Sequence, residues 1–174
     1  MKRIKIILGI IIAIAVIFLS TGLIFKETKY TTQVSINKPI EEVFSMFNNS
    51  EKIGNWIPEL KSIEAIDEKP GKTGSTYKMV VTSRDGQEIT LQEKVMAYVP
   101  NEKVTLYFDA GNMLKTDDYT FSFENGVTTI TNNSICKSNS YLLSCTFPYF
   151  KSVLKGQDQG YLNNFKSFIE SGKN

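Results

Sequence analysis

The sequence predicts an α+β fold: a curved antiparallel sheet of about seven strands wrapped around a long C-terminal helix, with one N-terminal transmembrane helix ahead of it. Three observations predict it. An uncharged apolar run opens the chain, short alternating segments joined by tight turns fill its middle, and one amphipathic segment closes it.

The opening run covers residues 6–25, 20 residues without a charge. At a helical rise of 1.5 Å per residue it would be about 30 Å long, the thickness of a bilayer's hydrocarbon core. Lys2, Arg3 and Lys5 precede it and Lys26, Glu27 and Lys29 follow it. The positive excess places the N-terminus in the cytoplasm and the rest of the chain across the membrane, a single-pass arrangement. A cleaved signal peptide is the rival reading. Signal peptides have shorter apolar regions, about 7–15 residues, that end in small residues. Here the small cluster Ser20, Thr21 and Gly22 is followed by Leu23, Ile24 and Phe25, which continue a helix. The expected division is an anchor over residues 1–28 and one domain over residues 29–174.

Residues 30–36 alternate as a first strand should. Asn37 is the expected N-cap of a short helix and Pro39 suits its first turn. Ile40, Val43, Phe44 and Phe47 then recur at helical spacing, with Glu41 and Glu42 near the positive end of the helix dipole. A second short helix is expected over residues 50–55, ended by Trp56, Ile57 and Pro58. Strands follow over residues 62–67, 75–83 and 88–99. Lys69, Pro70 and Gly71 form the first turn between them, and Arg84, Asp85 and Gly86 the second. Val104, Leu106 and Phe108 mark the next strand, and Tyr119, Phe121 and Phe123 the one after. Asn125 and Gly126 form the strongest hairpin signal in the chain, and residues 127–137 complete the sheet. Tight turns force consecutive strands to pair antiparallel.

The last helix is expected over residues 147–171, with Phe150, Val153, Leu154, Tyr161, Leu162, Phe165, Phe168 and Ile169 at three-, four- and seven-residue spacings. A curved sheet needs a cover for its concave face, and this helix is the only element long enough. The gap between the two is a natural pocket for a small ligand.

Composition removes several function classes. There is no histidine, which excludes Ser-His-Asp and Cys-His catalysis and any histidine-based zinc site. Net charge is +2 with acids and bases interspersed, so the basic stripe of a nucleic-acid binder is missing. Cys136 and Cys145, separated by eight residues, do not fit a metal-site spacing. They read either as two small, semi-buried residues or, if the domain is exported, as a disulfide. No motif calls for a metal or a cofactor, and no residue is assigned a catalytic role.

The pattern resembles the SRPBCC or START-like superfamily, in particular its polyketide cyclase/dehydrase-type members. Residues 34–44 are similar to the family's opening strand, proline and helix, and residues 52–58 to its tryptophan-proline stretch. Gly71 and Gly74 resemble the glycines before the third strand. Glu93, Lys94 and Val95, then Pro100 to Val104, resemble the family's acid, hydrophobe and proline turn. The likeness spans residues 30–171 and implies a helix-grip fold. The superfamily's functions range from lipid carriers to cyclases, so the resemblance does not choose among them.

Glu93 shares an alternating face with Ile89, Leu91 and Val95. A carboxylate there is costly unless paired or solvated, so it reads either as a polar anchor in a cavity or as a structural ion pair. Tyr119 shares a face with Phe121 and Phe123, as pocket wall or core. Asn132, Ser134 and Cys136 share a face with Ile130 and read either as inward polar groups that orient a ligand by hydrogen bonds or as groups that bind neighbouring backbone or face solvent. Trp56, Tyr77 and Met79 are further candidates for the cavity wall, as are Tyr149 and Tyr161 on the last helix. The adjacent acids Asp117 and Asp118 point to opposite faces of a strand and read as a solvated edge. The candidate ligand-binding set is therefore Trp56, Tyr77, Met79, Glu93, Tyr119, Phe121 and Asn132.

Three functions are compatible with these residues. The first is a membrane-anchored binder or carrier of a small hydrophobic ligand, lipid-like or polyketide/isoprenoid-like. The second is an interaction module of the cell envelope with an unknown protein partner. The third is a cyclase/dehydratase-type enzyme that uses Glu93 and Tyr119.

Overall fold

The computed structural model describes residues 2–83 and 85–172. Arg84 of the expected turn lies outside the described residues. In chain order the elements are α1 (Lys2–Ile24), β1 (Thr28–Ile36), α2 (Ile40–Phe47), a 3-10 turn (Ile53–Asn55), β2 (Leu60–Asp67), β3 (Thr76–Thr82), β4 (Glu88–Val99), β5 (Lys103–Asp109), β6 (Met113–Glu124), β7 (Val127–Ser138) and α3 (Tyr141–Glu170).

The strands form one sheet in the order β1-β7-β6-β5-β4-β3-β2. Every neighbouring pair is antiparallel. From β2 to β7 the chain simply folds back on itself. At the β6–β7 corner Asn125 and Gly126 both take positive φ, 53° and 84°, the left-handed pair that a tight hairpin requires. Helix α2 and the 3-10 turn carry the chain from β1 at one edge to β2 at the other. Register shifts in β2 and β4 mark the irregularities that bend the sheet.

Helix α3 lies over the β1–β7 side of the concave face. Leu162, Phe165 and Ile169 descend from it onto Val34 and Ile36 of β1 and Ile130 of β7. Phe47 of α2 stands at the centre of an aromatic cluster, with ring centroids 5.2 Å from Trp56, 4.9 Å from Tyr119, 5.5 Å from Phe121 and 5.3 Å from Phe165.

Three expected boundaries are corrected. The N-cap of α2 is Pro39, without a side-chain cap. Asn37 instead donates its backbone N–H to Glu170 Oε1 (2.9 Å), which ties the end of β1 to the end of α3. The second short helix contracts to one 3-10 turn, because the Asn49 side chain takes the Glu51 N–H (3.1 Å) and turns the preceding residues. Helix α3 begins at Tyr141 rather than Phe147 and runs through Pro148. A proline inside a helix removes one backbone hydrogen bond. The early turns are held from outside: Thr21 donates to the Cys145 carbonyl (3.1 Å) and Tyr141 to the Leu19 carbonyl (2.5 Å). Their apolar partner is α1, which the periodicity of residues 147–171 does not reveal.

No residue of α1 is buried. The helix is long and apolar enough to cross a membrane, and a signal sequence meets the same test.

Candidate functional site

Because α3 covers one side of the concave face, the other side is left open beneath it. The result is a cavity of about 600 Å³, bounded by β3 to β6, by α3, and by the segment from Phe47 to Glu59. Strand pairing sets its floor in rows. One row runs Tyr77, Glu93, Phe108, Lys115, Cys136 across β3 to β7. The next runs Val95, Leu106, Asp117, Ser134, Tyr30, and a third runs Val104, Tyr119, Asn132, Thr32. Directly opposed residues in a sheet share a face, so each row points into the same space.

A buried charge network occupies the α3 side of this floor. Lys115 Nζ lies 2.8 and 2.7 Å from the two oxygens of Asp158 on α3, and 2.8 Å from Asp117 Oδ2. All three ammonium protons are thereby committed. Tyr30 donates to Asp158 Oδ2 (2.9 Å) and Asn132 Nδ2 to Asp117 Oδ1 (3.2 Å). The Ser134 hydroxyl lies 2.7 Å from Asp117 Oδ1 and 3.1 Å from Asp158 Oδ2, and donates to one of them at a time. Burial alone would lower the Lys115 ammonium, but the carboxylates of Asp117 and Asp158 outweigh it and hold its pKa well above the usual value.

Glu93 stands apart from this network. It is 7% exposed and lines the cavity. Among the described residues no hydrogen bond or ion pair reaches its carboxyl. Burial first, and the nearby charge of Asp117 second, push its pKa up to about 7. Burial, followed by the Asp117 charge, likewise keeps the Tyr119 phenol protonated far above its usual range.

Of the seven residues singled out in the sequence, Trp56, Tyr77, Met79, Glu93 and Tyr119 line the cavity. Phe121 packs instead into the core, with its ring centroid 4.9 Å from that of Phe44. Asn132 sits on the floor's face but is fully buried on the side that α3 covers, bonded to Asp117, and does not line the cavity. Tyr161 lines the cavity, whereas Tyr149 stacks on Phe18 of α1 at 6.2 Å. The reading of Asp117 as a solvated edge is corrected: it is 2% exposed, because β6 is an inner strand and Lys115 neutralises it from below. Its neighbour Asp118 points to the other face and meets Lys103 (3.0 Å) and Thr105.

Both cysteines are free. Cys136 sits under Tyr30, with Sγ 3.7 Å from the hydroxyl, while Cys145 faces α1. Three members of the network escape a reading of the sequence: Tyr30, Lys115 and Asp158. Two of them carry a signal. Lys115 precedes Asp117 and Tyr119 at period two, and Asp158 interrupts the apolar stripe formed by Leu154, Leu162 and Phe165.

An antiparallel sheet that grips a terminal helix and keeps a cavity beneath it defines a Bet v1-like helix-grip domain. Residues 27–134 match the family model described as "Polyketide cyclase / dehydrase and lipid transport". The chain belongs to that family.

Solved structures agree on the fold. The allergen structure Ara h 8.0201 superposes with a TM-score of 0.66 at 13% identity, covering 84% of this chain and 99% of that one. The di-domain ARO/CYC StfQ from the steffimycin biosynthetic pathway gives 0.68 at 14% identity over 83% of this chain. This chain spans about half of StfQ (51%). The protein TTHA0849 from Thermus thermophilus gives 0.66 at 10% identity, with 84% of this chain and 99% of that chain covered. No curated protein matches in sequence.

The Glu93 environment sets a stability signature. Its folded pKa of about 7 lies above its ordinary value of 4.5, so the folded state holds the proton more tightly. The resulting stability is fully present below pH 4.5 and is lost as pH rises through about 7. The gap between the two values corresponds to on the order of 3 kcal/mol. Glu93→Gln should therefore be more stable than wild type above neutrality by up to that amount, with the difference vanishing in acid. Denaturant titrations across pH check this, and parallel curves for the two proteins would refute it.

Proposed function

We propose that the chain is a membrane-anchored binder or carrier of a small amphiphile. Its apolar body, lipid-like or polyketide/isoprenoid-like, fills the cavity, and a hydrogen-bond-donating head meets Glu93. Helix α1 is the anchor, with its N-terminus in the cytoplasm and residues 29–174 forming the binding domain on the far side. Membership of the family and the cavity support the binding role. The carrying observation for the head is the buried carboxyl of Glu93, which no hydrogen bond or ion pair reaches among the described residues, while Lys115, two strands away, is committed to Asp117 and Asp158. Above pH 7 a hydroxyl or amine gains an acceptor there, whereas a carboxylate or phosphate head set against Glu93 would meet like charge.

The register favours binding over acid–base catalysis. Tyr119 lies four residues along β6 from Lys115, which shares the Glu93 row. At about 3.4 Å per residue along a strand that is on the order of 13 Å, and two strand spacings of about 4.8 Å separate β4 from β6. Glu93 and Tyr119 are therefore poorly placed to act on one reacting atom.

The test uses an alkyl amine, alcohol and carboxylate of equal chain length, with the full chain held in a nanodisc at a pH above 7. Trp56 lines the cavity, so its emission reports occupancy. Amine and alcohol are expected to bind and the carboxylate to bind weakest, and Glu93→Gln should abolish the advantage of the amine over the alcohol. Tightest binding by the carboxylate would refute the assigned head, and silence from all three would refute the binder.

A further inference from the structure

The first part of α3 is built unlike the rest. No charged residue lies between Lys137 and Lys151. Within that stretch Tyr141, Leu142, Tyr149 and Phe150 are exposed, Leu142 by 62% and Phe150 by 54%. Val153 extends the patch by one more turn. Beyond it the same helix turns Leu162, Phe165 and Ile169 into the core. The exposed apolar side chains therefore do not belong to the domain's own interior.

They adjoin α1. Phe18 stacks on Tyr149, and Thr21 holds the Cys145 carbonyl. Gly22 lets the helices touch: a Cβ on it would lie 2.5 Å from Cys145 Sγ. Ile14, Ile17 and Phe18 of α1 form one apolar groove with Thr146, Tyr149 and Phe150 of α3. The bare apolar surfaces of α1 and of early α3 are thus continuous. Charged residues border their outer end: Lys26 and Lys29 follow α1 and Lys137 precedes the α3 stretch, with Glu27 paired to Lys29 (2.8 Å) and Lys137 (2.6 Å).

A contiguous exposed apolar patch of this kind marks a contact surface. Lipid is the occupant that this surface fits, because the patch continues a helix whose own exposed residues are almost entirely apolar. Tyrosines at an interface, a charge-free stretch and flanking lysines are also the composition of a segment seated at a bilayer surface.

We propose that residues 141–150 of α3 seat in the near leaflet of the bilayer crossed by α1, as a second membrane contact. This rests on the reading of α1 as a membrane-crossing helix. The seat has a consequence for the cavity. Ser138 and Asn139, just before α3, donate to the carbonyls of Asn112 (2.6 Å) and Gly111 (3.3 Å) in the β5–β6 hairpin. Ala110 and Met113 of that hairpin line the cavity. One end of the cavity is thereby held at the lipid surface, where an amphiphile leaving the leaflet would meet it.

The test places single additional tryptophans in the full chain in phosphatidylcholine nanodiscs: Ile17→Trp, Leu142→Trp, Phe150→Trp and, as the exposed control, Asn163→Trp. Wild type, with its buried Trp56, supplies the baseline. At positions 17, 142 and 150 the added emission should be shifted to the blue of position 163. It should be quenched by lipids brominated on their acyl chains and resist aqueous acrylamide. Acrylamide quenching at 142 and 150 with lipid quenching at 17 would overturn the seat and leave the anchor standing. Acrylamide quenching at 17 as well would overturn both. Protection of 142 and 150 from both quenchers would mean that protein, such as a second copy of the chain, covers the patch, and would also overturn the seat.

Discussion

Lys115→Met destabilises the full chain by about 3–5 kcal/mol, read as a loss of denaturant midpoint at neutral pH. Its Nζ is the only cation bonded to both Asp117 and Asp158 among the described residues, and those side chains are 3% and 9% exposed. Removing one partner of a buried ion cluster leaves uncompensated charge, which costs far more than the cluster itself contributes. The triple variant Lys115→Met, Asp117→Asn, Asp158→Asn should recover most of the loss, since neutral amides can still accept from Ser134 and Tyr30. A single variant as stable as wild type, or a triple variant no better than the single one, would refute this account of the network.

Phe165→Ala is the second large effect, again about 3–5 kcal/mol, the usual cost of truncating a buried phenylalanine. Phe165 is fully buried and its ring meets those of Phe47 and Trp56, both at 5.3 Å. It packs against Phe47 and Trp56, which line the cavity, so its removal opens space behind both rings. Trp56 emission should shift to the red as water or a ligand reaches the indole, and Phe165→Leu should show a smaller shift and a smaller loss. A loss below about 1 kcal/mol would mean that α3 is not seated as described.

How much of this is legible in the chain follows from the range of each interaction. Strand alternation depends on residues two apart and hairpins on adjacent turn residues, so Tyr77 with Met79, or Asn125 with Gly126, announce themselves locally. Glu93 is visible as an acid on an apolar face, but whether it is paired depends on other strands. The partners Lys115 and Asp158 are 43 residues apart in the chain and meet only because α3 crosses the sheet. Asp117 reads wrongly as solvated for the same reason: nothing near it in sequence says that α3 covers its face of β6 and brings Asp158 to share Lys115 with it.

The start of α3 shows the complementary limit. Residues 141–146 do not read as helix because their apolar face matches no sheet, and α1, their partner, lies more than a hundred residues away. By itself the sequence determined the apolar first helix, the hairpin order of the strands and the amphipathic last helix, since each is written in neighbouring residues through periodicity and turn chemistry. The tertiary structure alone decided which side of the sheet α3 covers, where the cavity opens, which charges neutralise one another and that Glu93 meets no partner among the described residues. Those outcomes depend on distances between segments far apart in the chain, and only the folded packing sets such distances.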